Sequence, residues 1–415
     1  MSQAAEPAGP TGPAAPDGGR RKRILFVCGS LNQTTQMHQI AQQLPEYAHA
    51  YTPFYCDGVL ELLRRARCLE FTVLGYKLRR RCLDYLERHG LPVDLHGAGG
   101  GYDLAVACSD LAVATNLRTQ PLVVVQEGIL DPAGFVFRLC RRLPLLPRWL
   151  AGTSTTGLSC QYHRFCVASE GYRDLFVANG APAERLVVTG IPNFDDCRRY
   201  ERNDFPHRHF VLVCSSDARE TFKRDNRRAF ISRCLAIAAG RQLIFKLHPN
   251  ENAERATREI ALLAPAALVF ATGCAEEMIA NCDVLITQYS STVFVGVALG
   301  KEVYSYNDLA EVRRLLPLQN SSAARNIAAV CRSLLEAPAA EAPESAGTPG
   351  TPGTPETPET PEVGETVAAA PQLTPPARLT PTRPAGYRPW RRAGRARGGW
   401  RSGKVASLLG RSRRR

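Results

Sequence analysis

The tightest constraint on this chain is a unit that keeps returning: a short, unbroken apolar run that stops at a polar or glycine-bearing turn. The first run, Arg23–Cys28, turns at Gly29-Ser30-Leu31-Asn32 into Gln33–Leu44, where Met37, Ile40, Ala41 and Leu44 share one helical face. Asp103–Cys108, Leu122–Val125, Phe165–Ala168 and Leu186–Thr189 repeat the run. A continuously apolar strand has no face suited to water, so the pattern predicts a parallel sheet covered on both sides.

After Gly190-Ile191-Pro192-Asn193-Phe194-Asp195 the sequence is polar and charged as far as Arg208, and then the pattern starts again. Strands are expected at Phe210–Cys214, Gln242–Leu247, Ala267–Phe270, Val284–Thr287 and Glu302–Tyr306. Helices are expected at Asn226–Ala239, Ala275–Ala280 and Thr292–Leu299, with Asn326–Leu335 closing the series. Two such halves predict an α/β protein of two Rossmann-like, doubly wound domains facing across a cleft. The boundaries read as a first domain at 23–197, a linker at 198–209 and a second domain at 210–336, between a disordered N-terminus (1–22) and a disordered C-terminal extension. In that extension, a linker at 337–376 repeats Thr-Pro-Gly or Thr-Pro-Glu and gives way to an Arg-rich tail at 377–415.

The net charge of +13 belongs to that tail: residues 377–415 carry twelve Arg, Lys404 and no acid, whereas residues 1–376 balance 39 basic against 39 acidic residues. A neutral body argues against a nucleic-acid-binding core. The tail, with Trp390 and Trp400 among its arginines, suits an anionic membrane surface, nucleic acid or a plain unstructured extension. Fourteen cysteines without a Cys-x-x-Cys pair read as reduced thiols packed as small hydrophobes, and no metal site is expected. No stretch has the roughly 20 apolar residues of a bilayer helix, and Met1–Gly19 lacks the apolar core of a signal peptide. The expected location is cytoplasmic, with the tail able to reach the inner face of a membrane. Arg138–Leu150 interleaves leucines and Trp149 with arginines, as interfacial segments do, but Pro144 and Pro147 interrupt it, which favours a packed loop.

Three turns carry chemistry. Lys246-Leu247-His248-Pro249-Asn250-Glu251 ends a strand, and alternation puts Lys246 and His248 on one side at its carboxyl end, where open α/β sheets bind ligands. Pro249 holds His248 extended and aims its ring into the crevice; a buried His bonded to a neighbouring loop is the alternative. In Thr287-Gln288-Tyr289-Ser290-Ser291-Thr292, three hydroxyls stand at a strand-to-helix turn, where one would suffice as a cap, and this points to a phosphate site. Val125-Gln126-Glu127-Gly128 places a carboxylate just past a first-half strand, either a base or a solvated loop residue.

Taken with Val188-Thr189-Gly190-Ile191-Pro192-Asn193-Phe194-Asp195 and Leu299-Gly300-Lys301-Glu302-Val303, these turns resemble the GT-B glycosyltransferase superfamily over residues 23–335. The resemblance is nearest to its branch of CDP-glycerol glycerophosphotransferases, capsule-polysaccharide transferases and UDP-N-acetylglucosamine 2-epimerases. It implies that His248, Ser290, Ser291 and Thr292, with Lys246 and Gln288, hold the phosphates of a nucleotide-activated donor. It makes Glu127 the base toward a hydroxyl acceptor, glycan or lipid-linked, with Asp131 in reserve. Further cleft candidates are Gly29, Ser30, Asn32, Gln33 and Thr34 in the first turn, where an ordinary capped helix start is the alternative, together with Asn193, Asp217 and Asn250.

The sequence departs from both relatives by having Gln126-Glu127-Gly128 where they carry a histidine. No G-x-G-x-x-G, P-loop lysine, G-x-S-x-G or Asp-x-Asp occurs, so no dinucleotide cofactor, hydrolase elbow or divalent-metal clamp is expected. The expected activity is a metal-independent transferase that needs no cofactor and acts in surface polysaccharide or glycoconjugate synthesis. The alternatives are a sugar-nucleotide 2-epimerase or hydrolase on the same fold, and a non-catalytic nucleotide-sugar-binding scaffold.

Overall fold

A computed structural model describes residues 20–337 apart from residues 71, 132, 144–145 and 222–224. The expectations for the N-terminus up to residue 19, for Pro144, for the Thr/Pro linker after residue 337 and for the Arg-rich tail fall outside those residues. The first half runs β1 (Arg23–Cys28), α1 (Leu31–Ala41), β2 (Ala48–Pro53), α2 (Gly58–Arg65), α3 (Tyr76–Arg88), β3 (Leu104–Ala107), β4 (Leu122–Val125), α4 (Phe135–Arg142), β5 (Arg164–Val167), α5 (Glu170–Asn179) and β6 (Leu186–Val188). The second runs β7 (Val211–Cys214), α6 (Arg227–Ala238), β8 (Leu243–Lys246), α7 (Ala253–Leu263), β9 (Leu268–Phe270), α8 (Ala275–Asn281), β10 (Val284–Thr287), α9 (Thr292–Ala298), β11 (Glu302–Tyr304), α10 (Leu309–Arg314) and α11 (Ala323–Glu336).

The first six strands form a parallel sheet in the order β2-β1-β3-β4-β5-β6, and the other five a parallel sheet in the order β11-β10-β7-β8-β9. The expected pair of doubly wound α/β halves is present. In each sheet the winding reverses beside its first strand, between β1 and β3 and between β7 and β10, and a reversal opens a crevice at the carboxyl ends. The edge strand β2, Ala-His-Ala-Tyr-Thr-Pro, has no unbroken apolar run and escapes a pattern search. Its Pro53 is tolerated because an edge strand leaves backbone donors unpaired.

Both faces of each sheet are buried. Leu25 and Val27 of β1 face one core while Ile24, Phe26 and Cys28 face another. The inner faces of the two sheets join a single apolar core, in which Phe294 of α9 lies 5.9 Å from the Phe194 ring and 6.3 Å from that of Tyr172. Burying one such phenylalanine contributes about 1.5–3 kcal/mol. The fourteen cysteines are free thiols, most of them in these cores.

The closing helix α11, which follows the second series in the chain, packs on the first sheet: Ile327, Ala328, Cys331 and Leu335 share a core with Ile24, Met37 and Ile40. Asp195 fixes this return. Its carboxylate accepts the backbone N–H groups of Asn320 (2.8 Å), Ser321 (2.7 Å) and Ala323 (2.7 Å) as α11 begins. Gly190, at φ 84°, leaves room for Ala323, whose Cβ would stand only 3.0 Å from a side chain at that position. The Gly190–Asp195 segment thus ties the end of the folded chain to its first sheet.

Candidate active site

In the first half, Ser30 caps α1 by accepting the Gln33 backbone N–H at 3.2 Å, and its own hydroxyl donates 2.9 Å to Glu127 Oε1. Gln33 Nε2 donates 2.6 Å to Glu127 Oε2, and Asn32 Nδ2 donates 3.4 Å to the Glu127 carbonyl. A β-carbon on Gly29 would stand 1.9 Å from Gln33 Oε1, so this glycine clears the path by which Gln33 reaches the carboxylate. Both Glu127 oxygens are therefore positioned by neutral donors. A carboxylate offers about four acceptor sites, so room for a proton remains on each oxygen.

Three other first-half candidates are placed differently. Thr34 is fully buried and its hydroxyl donates to the Ser30 carbonyl, so it is interior rather than a cleft contact. Asn193 donates 2.7 Å to both the carbonyl and the side-chain oxygen of Asn32 and accepts from Gln39 Nε2 at 2.7 Å, holding the first turn of α1. Asp131 is bonded to Thr153, whose hydroxyl donates to Oδ2 at 3.0 Å and accepts the Asp131 N–H at 2.8 Å.

In the second half the chemistry gathers around the end of β7. The Ser215 hydroxyl accepts the His248 backbone N–H at 3.1 Å, and the Ser216 hydroxyl donates 2.6 Å to Gln288 Oε1 across the crevice between β7 and β10. His248 Nδ1 accepts the Asn250 N–H at 3.2 Å, which puts the proton of the neutral ring on Nε2. Loss of solvent lowers the His248 pKa below its usual value, against the pull of Asp217, whose Oδ2 lies 3.7 Å from Nδ1 and also accepts from Asn250 at 3.2 Å. One third of the His248 side chain is exposed. Lys246 is buried, its ammonium donating to the Leu247 carbonyl at 3.0 Å, and burial pushes its pKa down. Gln288 is also buried: its Nε2 donates 3.0 Å to Asp225, its Oε1 takes the Ser216 hydroxyl, and both groups serve packing.

The two halves meet where these clusters face each other. Ser291 Oγ accepts the Ile129 N–H at 3.0 Å, and Gly128 passes so close that a β-carbon there would stand 2.5 Å from Ser291 Oγ. Glu127 is thus brought beside the hydroxyl turn of the second half. Within that turn the Ser290 and Thr292 hydroxyls bond each other at 2.9 Å. A second bridge joins Arg81 of α3 to the Pro249 carbonyl at 3.1 Å.

No family model and no curated protein matches the chain. Among solved structures it is similar to the wall teichoic acid polymerase TagF, with 11% identity over 76% of this chain and 89% of that one and a TM-score of 0.47. It is similar also to a UDP-GlcNAc 2-epimerase from Neisseria meningitidis bound to UDP-GlcNAc (12% identity, 76% and 91% coverage, TM-score 0.44). A third is the UDP-GlcNAc 2-epimerase from Methanocaldococcus jannaschii (11% identity, 75% and 99% coverage, TM-score 0.45). These TM-scores are all below one half, and the site is read from its own residues.

Pattern reading missed Ser215 and Ser216, although Cys-Ser-Ser-Asp directly after a strand carries the same signal as the Ser290–Thr292 turn. It also missed the ionic cluster beneath them. Arg227 pairs with Glu251 and, at 3.2 Å, with Asp225, while Arg219 makes two 2.8 Å bonds to Glu259 and lies 3.7 Å from both Asp225 and Glu251. Those charges are scattered in sequence and meet only through the fold. The segment read as a packed loop begins as helix α4, whose Phe137 and Cys140 are buried while Phe135 and Val136 are exposed. Among the described residues no helix is long and apolar enough to cross a membrane.

Proposed function

We propose that the chain is a transferase that moves a group from a nucleotide-activated donor to an acceptor hydroxyl, with Glu127 as the base. The observation that carries this reading is the Ile129–Ser291 contact, which sets a carboxylate at one sheet's ligand end against a hydroxyl turn at the other's. The acceptor O–H gives its proton to Glu127 as its oxygen attacks the donor, and the donor's phosphate leaves with the bonding pair. His248 Nε2–H and the Ser290–Thr292 hydroxyls stabilise the charge that develops on that phosphate. Ser30 and Gln33 hold Glu127 in line, which lowers the entropy lost on reaching the reactive geometry.

The fold has no obligatory link to one reaction, and the donor base, transferred group and acceptor are set by contacts at the site. Incubation with UDP-, CMP- and CDP-linked donors, with and without hydroxyl acceptors, is the test. Nucleotide release that depends on the acceptor supports the transferase. A new sugar nucleotide formed without acceptor would replace it with an epimerase, free nucleotide at catalytic rates with a hydrolase, and donor binding without turnover on any acceptor with a scaffold.

A further inference from the structure

Away from the facing turns, α2 and α3 border a cavity of about 260 Å³, open to solvent on one side and lined by Arg64, Arg65, Arg67, Arg79, Glu70, Leu74 and Tyr76. The two helices follow the edge strand β2 in the chain. Glu61 holds Arg64 through bonds of 2.6 and 2.7 Å and Arg65 through one of 2.8 Å. Glu70 accepts the Tyr76 N–H at 3.0 Å, so its carboxylate is engaged with the start of α3.

The other two guanidinium groups are not matched. Neither Arg67 nor Arg79 has a side-chain hydrogen bond or carboxylate within ion-pair distance among the described residues. Arg67 is exposed on backbone at φ 58°, and Arg79 is partly buried on α3. Desolvation and the nearby Arg64 push the Arg79 pKa down against the weaker opposing pull of Glu61, which is the direction that marks an unfavourable position for a cation. A half-buried charge without a direct ion pair costs stability, and an anion in the cavity would lower that cost. Guanidinium forks match the paired oxygens of a phosphate, which a compact ammonium does not do.

We propose that this cavity binds a phosphate group carried by the acceptor. The proposal deepens the transferase reading and rests on it for the word acceptor. The phosphate site itself stands on the cavity and its unmatched arginines. Helix α3 connects the cavity to the second half, since Arg79 lines the one and Arg81 donates to the Pro249 carbonyl beside His248. An acceptor anchored by phosphate at α2–α3 would lie on the first half and present its hydroxyl toward Glu127.

The test uses the full chain, its Arg79→Met and Arg67→Gln variants, and thermal unfolding in inorganic phosphate or pyrophosphate, with sodium chloride at matched ionic strength as control. Wild type should gain Tm with either phosphate beyond the salt control, by mass action. Arg79→Met should unfold at a higher temperature than wild type in plain buffer, and both variants should need about tenfold more phosphate for the same gain. The basic tail is common to all three proteins, so a difference between them belongs to the cavity.

A second arm compares sedimentation with phosphatidylcholine vesicles and with vesicles containing phosphatidic acid. Weaker phosphatidic acid binding in both variants than in wild type, above the binding their shared tail supplies, identifies a lipid headgroup as the source, and a difference confined to the soluble phosphates identifies a water-soluble phosphoester. Equal phosphate responses in all three proteins, or an Arg79→Met variant that is less stable in buffer yet responds fully, would overturn the proposal. Donor turnover without a phosphate response would overturn this site alone and leave the transferase reading intact.

Discussion

Glu127 and Glu251 are the same residue type, each in the loop that follows a parallel strand, and their surroundings give them opposite characters. Glu127 is held by the Ser30 hydroxyl and the Gln33 amide, donors that orient a carboxylate without cancelling its charge. Glu251 has no exposed side-chain surface and is bonded to Arg227 and Ser215, with Arg219 at 3.7 Å. One carboxylate is positioned and left available, while the other is sealed in against Arg227 and Arg219, where burial pushes its pKa up despite them. Location at a strand end is therefore not enough to nominate a catalytic group; what distinguishes the two is whether the carboxylate is already engaged by buried cations.

That contrast can be broken by experiment, most sharply at Glu127. Glu127→Gln keeps shape and neutral partners, so turnover should fall by about 10²–10⁴ while stability changes by less than about 1 kcal/mol. Arg227→Ala should do the reverse. It leaves Glu251 and Asp225 buried without their main cation, which costs about 3–5 kcal/mol in denaturant unfolding. His248→Ala should lower turnover or donor affinity at least about tenfold, read by steady-state kinetics and donor titration; unchanged values would remove His248 from the site.

The smallest effect is on pH dependence. The His248 pKa is lowered in the folded protein, so the unfolded chain binds the proton more readily, and stability is lost as pH falls below the ordinary histidine value of about 6.5. His38, His49, His96 and His163 are lowered as well, each chiefly by burial, and act in the same direction. Between pH 7 and pH 5 the unfolding free energy of wild type should therefore decline more steeply than that of His248→Ala. Parallel slopes would mean that the His248 ring is no less basic when folded than when unfolded.

Much of the architecture was legible because buried parallel strands must be continuously apolar, as Ile24–Val27 and Val284–Ile286 are, and because their turns must be polar. The turns around Glu127, His248 and Ser290–Thr292 were legible for the same reason, since strand ends are where a doubly wound sheet exposes its backbone. Beyond those turns, sequence gave less. Strand β2 alternates small and polar residues at an edge. The role of Asp195 depends on α11 returning from far along the chain to the first sheet. Arg219, Asp225, Arg227 and Glu251 look like any charged stretch until β7 and β8 bring them together, and Arg79 looks like one arginine of a basic helix until it is seen to have no direct ion pair among the described residues.

The most direct measurement is acceptor-dependent nucleotide release by Glu127→Gln and Glu251→Gln assayed side by side, with Tm recorded for each protein. Glu127→Gln should retain the wild-type Tm within a few degrees and lose at least about 100-fold in turnover. Glu251→Gln should lower Tm and, assayed at a temperature where it is folded, keep most of its turnover. A Glu127→Gln variant that turns over at the wild-type rate, or a Glu251→Gln variant that is folded but inactive, would contradict the assignment of the chemistry to Glu127.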